Sequence, residues 1–515
     1  MSGASVLGLL IPGAIFVALA IAVVLFGLLQ YRLAAWVSAE NRAAVAILVV
    51  GFGALLSVAL TARNLNEDSP AAAGLVLYED FASGFAASRW LSLLLLGAAL
   101  VETLRGFLRA RLGHESDPAW PVLLAMLMFF FGTLAVQAFL SEHASFALHD
   151  LYVPVLLLAV YQQRVHDLRR ILGAAKLATL ALTLGSLIGI AVQPDFVLHR
   201  PAPGIIPGID WRLFGLTSHA NTLGPIALLG VLLELYAPSR WRSLRWAHLA
   251  SCVAALVLAQ SRTAWGAALL MVVVVWLPLR LAPGQGAGKG AGQGTAQGTA
   301  QTFARAVWTV VGGLALLIVA VCVFAVSGTS DDLHQHTDLG TLNGRFAIWA
   351  ITLQAWRENV MFGYGAEVWG AARRLRFNLF HVGQAHNQLL QTLGEAGIAG
   401  LLLLAIYLLV LVQAARRGFR SSRGFGMALL LLLLARCVTE SPMRAEGLLS
   451  WATFLHVLLL LVLCHHLRGA VAAVQPAPAW RRRAVPAVSA RAVPPASAPR
   501  ASVAAAAGPS GRLAL

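Results

Sequence analysis

Long apolar runs, separated by short polar connections, follow one another along most of the chain. A run of about 20 apolar residues is long enough to cross a bilayer as a helix. By this criterion the sequence predicts thirteen spans, centred on 5–30, 43–62, 90–108, 119–140, 146–161, 174–193, 219–237, 246–260, 264–281, 306–327, 396–415, 425–439 and 450–467. We therefore predict an all-α polytopic membrane protein with about 12–13 transmembrane helices and one long outward loop that carries amphipathic helices.

The composition supports this class and changes how the net charge is interpreted. Only 12% of the 515 residues are charged and 59% are hydrophobic, whereas soluble domains contain about 25% charged residues. A formal net charge of +16 could suit a nucleic-acid-binding protein. The basic residues, however, lie in short loops between apolar runs, which is typical of membrane topology. We expect contact with membrane lipids and none with nucleic acid.

The loop arginines also predict the orientation of the chain. When the connections are numbered alternately, one set contains most of the loop arginines. The positive-inside rule places that set in the cytoplasm. The Gly-rich linker 284–301 then lies inside, and the long loop 328–391 lies outside. The basic, Ala/Pro-rich tail 468–515 lies inside and is expected to be disordered.

The long outward loop contains the chemistry-bearing residues. An apolar face recurs at helical spacing in RFAIWAITLQAW, formed by Phe346, Trp349, Leu353 and Trp356. This spacing predicts an amphipathic helix that begins near Asn343-Gly344. The loop ends in QAHNQLLQTLGEAGIAG, in which Asn387, Gln391 and Glu395 form a polar stripe on a helix that enters the membrane. Polar groups are costly there, so the stripe indicates a functional site.

Four segments together resemble the O-antigen ligase family. They are RLFGLTSHANTLG (212–224), LAQSRTAWGAALL (258–270), NGRFAIW (343–349) followed by FGYG, and AHNQLLQTLGEAGIAG (385–400). The resemblance covers about 212–450 and suggests a division into N-terminal helices (1–193), a ligase-like core (194–467) and the tail (468–515). The predicted spans are one more than the twelve usual in this family.

The resemblance implies a membrane glycosyltransferase of lipopolysaccharide or surface polysaccharide biosynthesis. Such an enzyme passes a glycan from undecaprenyl diphosphate to an acceptor, such as lipid A-core, at the periplasmic face of the bacterial inner membrane. It is an inverting enzyme that needs neither a metal ion nor a cofactor. The family's essential residues match Arg262, Arg345 and His386 in this sequence.

These residue types also suit the reaction. Guanidinium groups bind phosphate oxygens in a two-pronged geometry and keep their charge, so Arg262 and Arg345 could stabilise a departing diphosphate. Imidazole is the side chain suited to act as a base near neutral pH, which fits His386. As further substrate-binding residues we predict Arg212, Asn387 and Gln391.

Two other functions and one metal site are compatible with parts of the sequence. A polymerase of the same family would differ only in its acceptor, and the sequence leaves that choice open. A lipid-linked glycan flippase would need polar residues through the bilayer midplane, whereas here polarity collects in one outward loop and its neighbouring turns. The segment SDDLHQHTD (330–338) could ligate a divalent metal. A solvated polar loop explains that segment more simply, so we expect no metal site.

Overall fold

The computed structural model describes residues 37–60, 86–112, 117–200, 206–276, 342–377, 379, 382–444 and 447–474. The predicted spans 5–30 and 306–327, the linker 284–301 and the segment 330–338 lie outside the described residues, as does the tail beyond 474. The compact unit of the chain ends at Ala472.

Helices form most of the described structure. They are α1 (Ala39–Ala59), α2 (Ala86–Leu112), α3 (Trp120–Phe139), α4 (Tyr152–Gln162), α5 (Arg169–Val192), α6 (Ala220–Tyr236), α7 (Arg242–Leu258), α8 (Arg262–Met271), α9 (Leu342–Glu358), α10 (Ala371–Arg376), α11 (Gln388–Arg417), α12 (Phe425–Thr439) and α13 (Trp451–Val474). Short helical turns cover Leu148–Leu151, Pro194–Val197, Val272–Trp276 and Ala366–Trp369. Two short strands, β1 (Leu198–His199) and β2 (Arg212–Leu213), pair antiparallel.

Six of the described helical segments are long and apolar enough to cross a membrane, and four more are apolar but shorter. The six are Ala39–Ala59, Trp90–Leu108, Trp120–Phe139, Arg169–Val192, Gln388–Arg417 and Trp451–Gly469. The shorter ones are Leu148–Gln162, Ala220–Tyr236, Arg262–Trp276 and Phe425–Thr439. The prediction of an all-α polytopic membrane protein is confirmed. Buried leucine, valine and alanine side chains pack these helices against one another. Hydrogen bonds within each helix satisfy the backbone, as a bilayer requires.

Helix α11 is interrupted where the site-bearing loop meets the membrane bundle. Gly397 adopts φ 61° and ψ −157° inside the helix. The break frees backbone groups that bond to the segment following α9: Ile398 N donates to Val360 O at 3.2 Å, and Ala399 N donates to Met361 O at 3.0 Å. A Cβ atom at 397 would lie 2.5 Å from Met361 O, so only glycine fits. The break fixes α9 and its following segment against α11.

The predicted amphipathic helix of the long loop exists as α9. Its apolar face packs into a second buried cluster, separate from the bundle core, with Trp349 and Leu353 among its members. The indole Nε1 of Trp349 donates to Ala385 O at 2.9 Å. Helix α9 is therefore attached directly to the backbone that precedes His386.

Candidate active site

Four helices begin close to one another on one side of the bundle. Their first residues or N-caps are His219 for α6, Ser261 for α8 and Asn387 for α11, and Arg345 lies in the first turn of α9. Helix N-termini carry partial positive charge, which favours anions. Side-chain contacts join three of these starting points, those of α6, α9 and α11, to Glu440, the residue that follows α12.

Glu440 is the centre of the polar network. Its Oε2 lies 3.0 Å from Nδ1 of His386 and accepts from Gln384 Nε2 at 2.9 Å. Its Oε1 accepts from Asn221 Nδ2 at 3.2 Å and lies 3.9 Å from NH2 of Arg345. One carboxylate therefore contacts three of the four segments identified from the sequence. Sequence reasoning missed Glu440, although an acidic residue directly after an apolar run on the outward side was a usable signal.

The charge state of Glu440 determines which nitrogen of His386 holds the proton. Burial by itself would raise the pKa of Glu440, but the neighbouring His386, His219 and Arg345 lower that pKa to about 2. The carboxylate is therefore ionised and can only accept hydrogen bonds. His386 Nδ1 must then be the donor, which leaves the lone pair on Nε2. The His386 side chain is 27% exposed and therefore accessible, as a base that acts on a bound substrate must be.

The backbone of His386 is held in an unusual conformation. Its φ is +49°, in the left-handed region that side chains other than glycine rarely adopt. The preceding residue is fixed on both sides, since Ala385 N donates to Gln391 Oε1 at 2.6 Å and Ala385 O accepts from Trp349. Such conformations persist where the surrounding structure determines them and often occur at functional sites.

Three arginines lie near the carboxylate of Glu440. Arg262 is the first residue of α8 and is exposed, and Arg345 is 19% exposed. Arg212 interacts with both: burial lowers its pKa, and the charges of Arg262 and then Arg345 lower it further. The charge of Arg212 therefore acts together with those of Arg262 and Arg345, and Arg345 also lies beside the Glu440 carboxylate. Such an excess of positive charge favours an anionic ligand.

Arg212 also braces the turn that precedes Arg262. Its Nε donates to Ala259 O, and its NH2 donates to Gln260 O and to Asn221 Oδ1, each at 3.3 Å. Gln260 has φ +47° and its Nε2 donates to Trp211 O at 2.8 Å. The loop that carries Arg212 therefore sets the conformation of the three-residue turn between α7 and α8.

A second histidine, His219, lies beside this network and was not identified from the sequence. It is the N-cap of α6, where its Nδ1 accepts from Asn221 N at 3.0 Å. Burial lowers its pKa to about 4, although Glu440 opposes the shift. His219 is therefore neutral at pH 7 and its cap nitrogen stays an acceptor.

The two remaining predicted residues have structural contacts that use their amide groups. Asn387 Oδ1 accepts from Leu389 N and Leu390 N, so it caps α11, and its Nδ2 donates to Val438 O at 3.2 Å. Gln391 is fully buried. The structure therefore brings Arg212, Arg262, Arg345 and His386 near one network, whereas Asn387 and Gln391 are buried and hydrogen-bonded within the fold. Their substrate-binding role stays a prediction.

The described residues define a polytopic membrane protein in which arginines and a histidine gather where several helices begin. The sequence model of the family described as O-antigen ligase matches residues 247–405, which include Arg262, Arg345 and His386. This match confirms the resemblance over residues 247–405: this part of the chain is similar to the O-antigen ligase family. A comparison with curated proteins finds no match. The similarity supports an enzyme that transfers glycan between a lipid-linked donor and a glycan acceptor in polysaccharide biosynthesis.

Proposed function

We propose that the protein transfers a glycan from undecaprenyl diphosphate to an acceptor, lipid A-core, at the periplasmic face of the inner membrane. The observation that carries this proposal is the gathering of Arg212, Arg262 and Arg345 beside the His386–Glu440 pair. Cleavage of a sugar–diphosphate bond leaves a group with at least two negative charges. Fixed guanidinium groups near lipid stabilise such a group strongly.

The geometry supports a single displacement. His386 Nε2 takes the proton of the acceptor hydroxyl, and the acceptor oxygen attacks the anomeric carbon of the donor sugar. The bond from that carbon to the diphosphate oxygen breaks, and its electron pair goes to the diphosphate. Attack opposite the leaving group inverts the anomeric configuration. Glu440 stabilises the imidazolium that forms, in the role that an acidic partner has beside other catalytic histidines.

The arginines in this mechanism take the part that a metal ion plays in other phosphate chemistry. Arg262 and Arg345 bind the leaving diphosphate, and Arg212 holds the turn that presents Arg262. A preorganised donor of this kind contributes about 10²–10³ in rate. We therefore propose transfer without a metal ion.

The proposal also includes the division of the chain into N-terminal helices (1–193), a ligase-like core (194–467) and a tail (468–515).

The test uses purified protein with an undecaprenyl-diphosphate oligosaccharide and one of two acceptors. We expect transfer to lipid A-core, with inverted anomeric configuration and with undiminished rate in EDTA. Transfer only to a second lipid-linked chain would identify a polymerase of the same family. Movement of the donor across vesicles without a covalent product would identify a flippase. Activity lost in EDTA and restored by Mg²⁺ would contradict metal independence and direct attention to the segment 330–338.

A further inference from the structure

We infer that Glu395 and Arg444 are positioning residues for His386. They form an ion pair that holds the backbone before His386, the proposed base, in a fixed conformation. The inference rests on the proposed function. Glu395 was noticed in the sequence only as part of a polar stripe, and Arg444 only as a loop charge. The structure joins them through a continuous chain of contacts to residues 383–386.

The first branch of this chain passes through Gln391. Arg444 Nε lies 2.8 Å from Glu395 Oε1, and Gln391 Nε2 donates to the same oxygen at 2.8 Å. The other end of that amide, Gln391 Oε1, accepts from Ala385 N at 2.6 Å. Because an amide has one acceptor end and one donor end, the contact with Glu395 determines which way Gln391 points. Its acceptor end is thereby directed at the peptide that precedes His386.

The second branch is direct. Arg444 NH1 donates to Gly383 O at 2.7 Å, while its Nε pairs with Glu395. One guanidinium group therefore holds both the loop that leads to His386 and the carboxylate beneath that loop. Lysine, which has a single ammonium group in place of the planar fork, cannot reproduce both contacts with the same geometry.

The backbone of His386 explains why such a brace is needed. A residue with a Cβ atom at φ +49° returns to an ordinary conformation unless its neighbours hold it. Such a change would rotate the imidazole away from Glu440 and from the arginines. Glu395 is 8% exposed and Gln391, which links it to the peptide before His386, is fully buried, so this branch acts through the loop and not by contact with solvent.

Packing alone does not account for the choice of an ion pair here. Glu395 lies in α11, a candidate span, where its second oxygen accepts from Gln137 of α3 at 3.3 Å. Removing a carboxylate and a guanidinium group from water is costly, and apolar residues of similar volume often stabilise a fold as well or better. Ionisable groups at membrane depth usually have a functional role. Bracing the loop that carries the proposed base is a function that apolar side chains could not perform.

The chain offers a matched control at the other end of α3. Asp117 and Arg468 form an ion pair of 2.7 Å, and their side chains are 15% and 17% exposed, against 10% and 17% for Glu395 and Arg444. Asp117 precedes α3 and Gln137 lies near its end, so the two pairs are about 30 Å apart along the helix axis. Disrupting either pair removes a similar contact, but only one pair leads to His386.

The experiment measures turnover and donor KM for Glu395→Gln, Arg444→Gln and Asp117→Asn, as release of undecaprenyl diphosphate by purified protein. We expect kcat to fall about 10²-fold in the first two variants, as expected for a base displaced by about 1 Å. The donor KM should stay within about twofold, because Arg262 and Arg345 are untouched. Asp117→Asn should keep kcat within about twofold, even if its melting temperature falls as much as that of the other two variants.

A cycle with His386→Ala separates positioning from general damage. If the pair acts through His386, then adding Glu395→Gln to His386→Ala should lower kcat no further. A further loss of the same size in that background would overturn the inference. So would a normal kcat in the Glu395 and Arg444 single variants, or an equal loss of kcat in Asp117→Asn. If Glu395→Gln does not fold, Arg444→Gln, altered in a connecting loop, gives the same comparison.

These outcomes are distinct from failure of the proposed function. Absence of transfer by the unmodified protein, or full activity of His386→Ala, would contradict the proposed reaction itself. Strong loss in His386→Ala together with normal Glu395 and Arg444 variants would leave the reaction intact and remove only the positioning role.

Discussion

Glu440 Oε2 lies 3.0 Å from His386 Nδ1, and the other oxygen of the same carboxylate lies 3.9 Å from Arg345 NH2. One buried anion thus holds the proposed base and one of the cations proposed to bind diphosphate. The distance between proton removal and leaving-group stabilisation is therefore set by a single side chain. Its substitution should affect both steps.

Glu440→Gln replaces an acceptor-only carboxylate with an amide that can also donate to His386 Nδ1. This favours the tautomer whose lone pair lies on the wrong nitrogen, and it removes the charge that stabilises the imidazolium. We expect kcat to fall about 10²–10⁴-fold. Glu440→Asp, which keeps the charge, should retain more activity; unchanged kcat in Glu440→Gln would contradict the assignment.

Arg262→Lys keeps a positive charge but loses the planar fork that binds two phosphate oxygens. We expect turnover to fall about 10²-fold or more, much further than a conservative substitution suggests. Arg242→Lys is the matched control, because Arg242 is likewise an exposed first residue of its helix. It should leave turnover unchanged. Equal effects of the two substitutions would show that replacing an arginine at any helix start lowers turnover, and would contradict a specific phosphate contact by Arg262.

His219 gives the fold a defined pH dependence. The folded protein keeps His219 neutral down to a pKa of about 4, while an unfolded chain takes up this proton below about 6.5. Unfolding therefore binds a proton between these values, and the free energy of unfolding should fall as the pH decreases from 6.5 to 4. His219→Asn keeps a capping acceptor without a titrating ring. We expect a smaller drop in melting temperature between pH 7 and pH 4.5 in this variant.

The control for that comparison is His143→Asn, since His143 is exposed. Its melting temperature should depend on pH as in the unmodified protein. A His219→Asn variant with unchanged pH dependence would show that the buried ring does not couple protonation to folding.

Much of the fold could be predicted from hydropathy. A helix that crosses lipid needs a long apolar run, whichever helices it packs against. The span predicted at 425–439 coincides with α12, and the predicted surface helix coincides with α9 to within a residue of its start. The break at Gly397 could not be predicted, since its cause is a distant segment that bonds into the opened helix. Hydropathy contains no information about such pairings.

A residue of the candidate site could be predicted from the sequence only where its neighbours along the chain also indicated its role. His386 and Arg345 lie in such segments. Glu440 is distant in sequence from both, and its role depends on which helices meet, which periodicity does not reveal. For Gln391 the local pattern was visible but its contacts were not. Its helical spacing indicated a polar stripe, whereas in the structure its side chain is hydrogen-bonded to Ala385 and Glu395 inside the protein.

The topology gives a separate test of where the reaction takes place. Placed in a cysteine-free background, a cysteine at Asp331 should react with an impermeant thiol reagent in intact spheroplasts. One at Lys289 should react only after the membrane is opened, because the linker 284–301 is expected in the cytoplasm. The reverse pattern would place the proposed site on the cytoplasmic face and contradict periplasmic transfer.

The most direct test of the proposed reaction is turnover by purified His386→Ala with an undecaprenyl-diphosphate oligosaccharide and acceptor, with donor binding measured on the same preparation. If His386 takes the proton from the acceptor hydroxyl, kcat should fall about 10²–10⁴-fold while donor affinity stays near normal. The arginines that contact the diphosphate are unchanged in this variant, so binding and turnover should separate. A folded His386→Ala protein that keeps nearly full turnover would contradict the role of His386 as the base.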